Sequence, residues 1–420
     1  MNYINLKYKP TKEDLVVEYR LETRNPFEKT CEQIAAESSV GTWTEVTTMK
    51  KNIARLKPNV FSINKKTKEI KIAYPIELFE KGNMPEILSS IAGNIFGMNA
   101  ITNLRLQDIH FPRALIKSFK GPEFGINGIR KMLKVKNRPL LGTIIKPKLG
   151  LNPKQHAKVA YESWIGGCDI VKDDENLSSQ SFNQFKSRII ETLNLKEKAE
   201  KETGEKKVYL PNITAETNEM VKRGEFVKKH GGNFLMLDIL TLGWAALQTV
   251  RNHEFKLPLH AHRAGHAILT RNKKHGISML TIAKIARLIG VDTLHIGTAV
   301  GKMEGPMKEI EAIEEEIEKN LINEDKQEHI LEQKWYDKKE VFAVCSGGLH
   351  PSLIPKLVNM LGFNIIIQLG GGLHGHPKGS FYGAQAARQA IEATMQGVSL
   401  KEYAKNHTSL KEALEHFKNK

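Results

Sequence analysis

From residue 140 onward the chain repeats one pattern. A short, nearly continuous apolar run is followed by a longer stretch with apolar residues at three- and four-residue spacing. The runs are LLGTII (140–145), CDIVK (168–172), KVYLPN (207–212), NFLMLD (233–238), LPLHAH (257–262), DTLHI (292–296), VFAVCS (341–346) and IIIQLG (365–370). Continuous apolar runs predict strands covered on both faces, as in a parallel sheet. The stretches between them, such as PKQHAKVAYESWIGG and ISMLTIAKIARLIG, have helical periodicity and end on glycine. Eight strand–helix units predict a (β/α)8 TIM barrel. A doubly wound open sheet is the competing α/β arrangement.

The pattern differs elsewhere. Residues 1–125 mix strand-like VVEYRLE and NVFSINKKTKEIKIAY with a helix near PFEKTCEQIAAES, which predicts an α+β N-terminal domain. Residues 126–400 are then the barrel and 401–420 a C-terminal helical extension. The acidic stretch 309–333 after the sixth strand reads as a solvated insertion.

Composition narrows the class. The 420 residues carry a formal charge of +16, yet the lysines are spread along the chain and no arginine-rich block with interleaved aromatics appears. A nucleic-acid partner is therefore not expected, and a cationic surface that steers an anionic substrate is. No apolar run nears the roughly 18 residues of a membrane span, and the start shows no signal-peptide pattern, so no membrane partner and a cytoplasmic location are expected. Cys31, Cys168 and Cys345 are too scattered for a disulfide framework or zinc site.

Barrel chemistry collects at the C-terminal ends of strands. Those ends carry Lys146-Pro147-Lys148, Lys172-Asp173-Asp174-Glu175, Asn212, His260-Ala261-His262-Arg263, His295, Ser346-Gly347-Gly348 and Gly370-Gly371-Gly372. A single KDDE reads as a solvated turn; seven polar or glycine-rich strand ends together argue for one site. Asp174 and Glu175 are hard oxygen donors suited to Mg²⁺, and a carbamate formed from Lys172 and CO₂ would add a third. The alternative is a lysine that neutralises two acids. The glycine pairs can offer backbone N–H groups to phosphate or make ordinary turns. With Arg263 and His295 as a second cationic site, they point to a bisphosphate. His262 suits hydrogen bonding or acid–base work; His260 is open to a structural role. Lys302, between glycines 297, 301 and 305, has the setting of a lid cation.

The motifs AAESSVGTWTEV (35–46), GNIFG (93–97), KPKLGL (146–151), GGCDIVKDDEN (166–176), LHAHRAGHA (259–267), HIGTAVGKMEG (295–305), SGGLH (346–350) and LGGGLHGHPKG (369–379) resemble the RuBisCO large subunit, archaeal type, along nearly the whole chain. The resemblance implies ribulose-1,5-bisphosphate carboxylase/oxygenase activity, or enolisation alone as in RuBisCO-like relatives. It implies Mg²⁺ and an activating CO₂ as cofactors, with Lys172 carbamylated and Asp174 and Glu175 as co-ligands. Lys146 would donate a proton to the product carbanion, Lys148 would flank the reacting carbons, His262 would meet the substrate hydroxyls, and Lys302 the new carboxylate. Arg263, His295 and Ser346 would hold one phosphate. Thr42, Trp43, Gly348, Gly370 and Gly371 would hold the other, and Gly347 and Gln368 would also bind substrate. Glu37 and Asn94 would complete the site of a second subunit, so a homodimer or assembly of dimers without a small subunit is implied, acting in nucleoside monophosphate (AMP) salvage. Three positions depart from plant-type members: Ile144 for threonine, Thr293 for histidine, and Lys378 for tryptophan. The chain ends soon after the barrel, without a long tail, so removal of 412–420 is expected to change activity little unless those residues also support the helix before them.

Overall fold

The computed structural model describes residues 2–42, 44, 46–298, 300 and 307–418. Its strands, in chain order, are β1 (Leu15–Glu22), β2 (Asn59–Asn64), β3 (Glu69–Tyr74), β4 (Asn103–His110), β5 (Leu140–Ile144), β6 (Ile170–Lys172), β7 (Val208–Leu210), β8 (Leu235–Asp238), β9 (Leu259–His262), β10 (Gly276–Ile277), β11 (Thr293–His295), β12 (Leu321–Ile322), β13 (Gln333–Lys334), β14 (Phe342–Ser346) and β15 (Ile365–Leu369). They fall into two compact units that interleave along the sequence.

The first unit comprises Met1–Gly121, Gly265–Ile289 and Lys319–Lys338. Its sheet runs β10-β4-β1-β3-β2, antiparallel except for the β10–β4 edge. The helix Met84–Ile91 is started by Asn83, whose side chain accepts from the Glu86 N–H, and by a proline in its first turn. The two later segments are tied in through one buried carboxylate. Asp108 Oδ2 accepts from Lys284 Nζ at 2.7 Å and from the Leu331 N–H at 2.7 Å. The stretch expected to be a solvated insertion is split instead. The helix Met307–Glu318 buries Ile310, Ile313 and Ile317, and ends where the β12–β13 ribbon of the first unit begins. Trp335 is wholly buried there. Its apolar positions, not its many acids, decide its placement.

The second unit comprises Pro122–Ala264, Gly290–Glu318 and Lys339–Lys420. All eight expected runs form parallel strands, in the order β7-β6-β5-β15-β14-β11-β9-β8. A bridge between Asn212 and Met236 joins β7 to β8, so the sheet closes into a barrel instead of an open doubly wound sheet. The helix Gly125–Leu133 packs Ile126, Ile129 and Leu133 against Leu140, Ile170, Val208, Phe342 and Ile366 near the starts of the strands. It plugs the bottom of the barrel and leaves the other end for polar groups. The helix Pro153–Ile165 after β5 opens on a reciprocal Asn152–Gln155 capping box.

Candidate active site

At the C-terminal ends of the strands the side-chain alternation of β6 separates the four charged residues. Lys172 is fully buried, with Nζ donating to the Asp173 carbonyl at 2.8 Å and lying 3.6 Å from Glu175 Oε2. Asp174 Oδ2 accepts from Lys146 Nζ at 2.8 Å. Asp173 takes the other face, as the parity of a strand requires. It accepts from Tyr209 Oη at 2.6 Å, Arg188 Nε at 3.1 Å and the Asn212 N–H at 3.0 Å, with His156 Nε2 3.0 Å away. Asp173 is thus a buried structural anion, apart from the Lys172–Glu175 and Lys146–Asp174 pairs.

Charge follows from this arrangement. Burial lowers the Lys172 amine below the ordinary lysine range, against the pull of Glu175 and Asp174. Burial alone would raise Asp174 and Glu175. Hydrogen bonds from Lys146 and Asn176 outweigh it at Asp174, and the charges of Lys172 and His262 at Glu175, so both carboxyls sit below their usual values. The result is a pair of carboxylates held ionised next to a lysine of weakened basicity.

A cavity of about 1290 Å³ opens over these groups. Lys146, Lys172, Glu175, His262, His295, Ser346, Gly347, Gly348, Gln368, Gly370 and Gly371 line it, as does Ile144. Gly347 and Gly348 have φ of +121° and +68°, backbone that side chains resist. Gln368 is buried with both amide atoms unpartnered. Its stem occupies space that a Cβ at Gly142 would invade, at 2.9 Å from Cγ. Arg263 stands outside the lining, against Gly297, where burial pushes its guanidinium down to about 10. The charge of Glu309 opposes that shift. Lys148 is exposed and outside the lining.

The remaining expected residues are elsewhere. Glu37, the last residue of helix Phe27–Glu37, and Thr42 line a separate cavity of about 500 Å³ in the first unit. Asn94 opens a short 3-10 helix of that unit, exposed. Trp43 and Lys302 lie outside the described residues.

Sequence reasoning missed several contributors. Asp238, at the end of β8, accepts from His262 Nδ1 at 3.0 Å and from Asn212 Nδ2 at 3.3 Å. This turns His262 Nε2 toward Glu175, 3.7 Å away. The strand-end rule that singled out the other residues applies equally to NFLMLD. His260 and Thr293 lie behind His295. Leu414, Phe417 and Lys418 form part of the cavity wall. The packing meets the exception attached to the expectation for removal of 412–420: Phe417 stacks on His350 at 5.1 Å, and Ala413 and Phe417 pack on Ala386. Lys378 anchors the same helix through Glu412.

A closed parallel barrel with its charged groups gathered at the strand ends has the architecture of an α/β-barrel enzyme. The chain belongs to the ribulose bisphosphate carboxylase large-chain family, whose catalytic domain matches residues 125–417 and whose N-terminal domain matches residues 2–115. A ribulose bisphosphate carboxylase of Methanocaldococcus jannaschii is 52% identical over 426 residues, covering 100% of both chains. A dimeric archaeal Rubisco from Hyperthermus butylicus is 44% identical with a TM-score of 0.93, covering 98% of each chain. An octameric Rubisco from Pyrococcus horikoshii, solved as a complex with sulfate ion, is 44% identical with a TM-score of 0.92, covering 99% of this chain and 96% of that one.

Proposed function

We propose that this chain enolises and carboxylates ribulose 1,5-bisphosphate to two molecules of 3-phosphoglycerate, with oxygenation as the competing reaction, in nucleoside monophosphate salvage. The observation that carries this reading is Lys172 buried beside the Asp174 and Glu175 carboxylates, in one cavity with two glycine turns. The donor set fits Mg²⁺, which takes oxygen ligands. The two carboxylates are ionised, and the weakly basic amine can add to CO₂. In that addition an N–C bond forms and an amine proton leaves, so the carbamate supplies the third anionic oxygen. Lys172, Asp174 and Glu175 would then hold the metal, whose chemistry is to stabilise negative charge on the substrate's oxygens.

The chain's own groups take the other roles. The Lys172 carbamate removes the C3 proton. His262, oriented by Asp238, addresses the substrate hydroxyls through Nε2. Lys146 exchanges Asp174 for the substrate and donates a proton to the product carbanion, with Lys148 flanking the reacting carbons. Arg263, His295 and Ser346 hold one phosphate; Gly348, Gly370, Gly371, Thr42 and Trp43 hold the other, with Gly347 and Gln368 beneath. Lys302 stabilises the new carboxylate. Glu37 and Asn94 serve the opposite subunit of a homodimer, or of a larger assembly of dimers, without a small subunit; the dimeric and octameric relatives support this. Resemblance to the archaeal type supports the salvage role. Among the described residues no helix is long and apolar enough to cross a membrane.

The test is incubation with ribulose 1,5-bisphosphate, Mg²⁺ and labelled bicarbonate. Labelled 3-phosphoglycerate is expected. Exchange of the C3 proton without labelled product would assign enolisation alone, and neither signal would overturn the reading.

A further inference from the structure

Behind the cavity four side chains form an unbroken line. Thr293 Oγ1 is 2.7 Å from His260 Nδ1. His260 Nε2 is 3.0 Å from His295 Nε2. His295 Nδ1 is 2.8 Å from Ser346 Oγ. Thr293 and His260 are fully buried and His295 is 3% exposed, whereas Ser346 opens onto the cavity.

The chemistry of the line is tightly constrained. Two ring nitrogens 3.0 Å apart share a single proton. Burial first, then the neighbouring cations and histidines, lowers both imidazoles well below the ordinary histidine value, so each is neutral with one N–H. Only two arrangements then leave no nitrogen unpaired. In the outward one, Thr293 donates to His260 Nδ1, His260 Nε2–H donates to His295 Nε2, and His295 Nδ1–H donates to Ser346 Oγ. The Ser346 hydroxyl hydrogen is then free to point into the cavity. In the inward one every bond reverses. Ser346 donates to His295 Nδ1 and shows only lone pairs to the cavity. Both hydroxyls can donate or accept, which is what makes the line reversible.

We propose that Thr293 and His260 are positioning residues for anion binding, and that a phosphate group at Ser346 selects the outward arrangement of the whole line. The unprotonated oxygens of a phosphate group only accept hydrogen bonds, so they pair with the outward hydroxyl and are repelled by the lone pairs of the inward one. The choice is transmitted through both imidazoles without any change in net charge. His260 is thereby part of the phosphate site although it never touches the ligand. This inference rests on the proposed phosphate-holding role of His295 and Ser346.

The test is nitrogen NMR on the full-length protein labelled with ¹⁵N-histidine, with and without saturating inorganic phosphate. The nitrogen–nitrogen coupling across their shared hydrogen bond picks out the pair, and Ser346→Ala, which removes the partner of His295 Nδ1 and so shifts that nitrogen, tells His295 from His260. With phosphate bound, His295 is expected as the Nδ1–H tautomer and His260 as the Nε2–H tautomer, with the shared proton on His260. A bound state with the proton on His295 Nε2, with either ring doubly protonated, or with no coupling between the rings overturns the inference. Competition of phosphate with ribulose 1,5-bisphosphate is measured alongside, with Ser346→Ala as comparison. If phosphate does not compete, or Ser346→Ala leaves that competition unchanged, the phosphate-site reading fails first. If phosphate competes, Ser346→Ala weakens it, and the tautomers are wrong, only the line fails.

Discussion

Under the proposed function Lys172 reacts with CO₂ as the free amine, which burial favours. Because its value in the folded protein is lowered, the reactive fraction grows as pH rises through that lowered value and levels off short of the ordinary lysine range. Activation by CO₂ and Mg²⁺, assayed after preincubation across pH, is expected to follow this curve. Lys172→Ala is expected to lose the activated rate by about a hundredfold or more; near wild-type turnover would sink the carbamate assignment. A second buried group gives a stability signal. His374 Nε2 lies 2.9 Å from Thr143 Oγ1, which donates to the Leu369 carbonyl, and His374 Nδ1 lies 3.0 Å from Ser380 Oγ. Burial lowers this imidazole to about 4. Between that value and an ordinary 6.5 the unfolded chain binds the proton more readily, so stability is full above about 6.5 and falls as pH drops toward 4. His374→Gln should flatten that limb in denaturant melts taken at several pH values. An unchanged slope would place the acid sensitivity elsewhere.

The elements divide the labour by their ends. The helix Gly125–Leu133 puts an apolar plug at the bottom of the barrel, so the strands can be apolar there and polar at the top. The helix Thr408–His416 works at the other end. Its Ser409 hydroxyl donates to Gln385 at 2.6 Å, and the Leu410 N–H donates to Gln389 at 3.1 Å. The ring of Phe417 just beyond it faces His350 on the cavity wall. Phe417→Ala removes a side chain that is only 8% exposed. The expected loss of stability is near the lower end of the roughly 3–5 kcal/mol typical of buried phenylalanine. A raised KM for the bisphosphate should accompany it, because the wall next to the glycine turns loosens. Unfolding curves and steady-state kinetics check the two separately; wild-type values in both would return the helix to a passive role.

At the scale of the molecule, chain order and spatial order part company. The first unit draws in Gly265–Ile289 and Lys319–Lys338, and Asp108 holds both segments from β4. Burial raises its carboxyl despite the pull of Lys284 and the Leu331 N–H. Glu37 and Asn94 reside in this unit while Lys172 resides in the barrel. Under the proposed dimer, each active site combines residues of two subunits. Mixing inactive Glu37→Gln protein with inactive Lys172→Ala protein, under conditions of subunit exchange, should restore part of the activity, because one of the two sites in a mixed dimer has both native residues. Exchange without rescue would refute the shared site.

The sequence by itself determined the barrel strands and the chemical character of their ends. Double-sided burial and strand parity are local properties that composition and spacing record directly. It therefore marked Lys172, Asp174 and Glu175 and the glycine turns as candidates at the strand ends, with the strand limits trimmed by one or two residues. Tertiary structure alone decided what depends on partners distant along the chain. The turn of Asp173 toward Arg188 and Tyr209, the orientation of His262 by Asp238, the line from Thr293 to Ser346 and the seating of Phe417 on His350 are of this kind. An apolar or charged pattern states that a side chain must be buried or paired; it does not name the partner, because that choice is made only when the strands close the barrel.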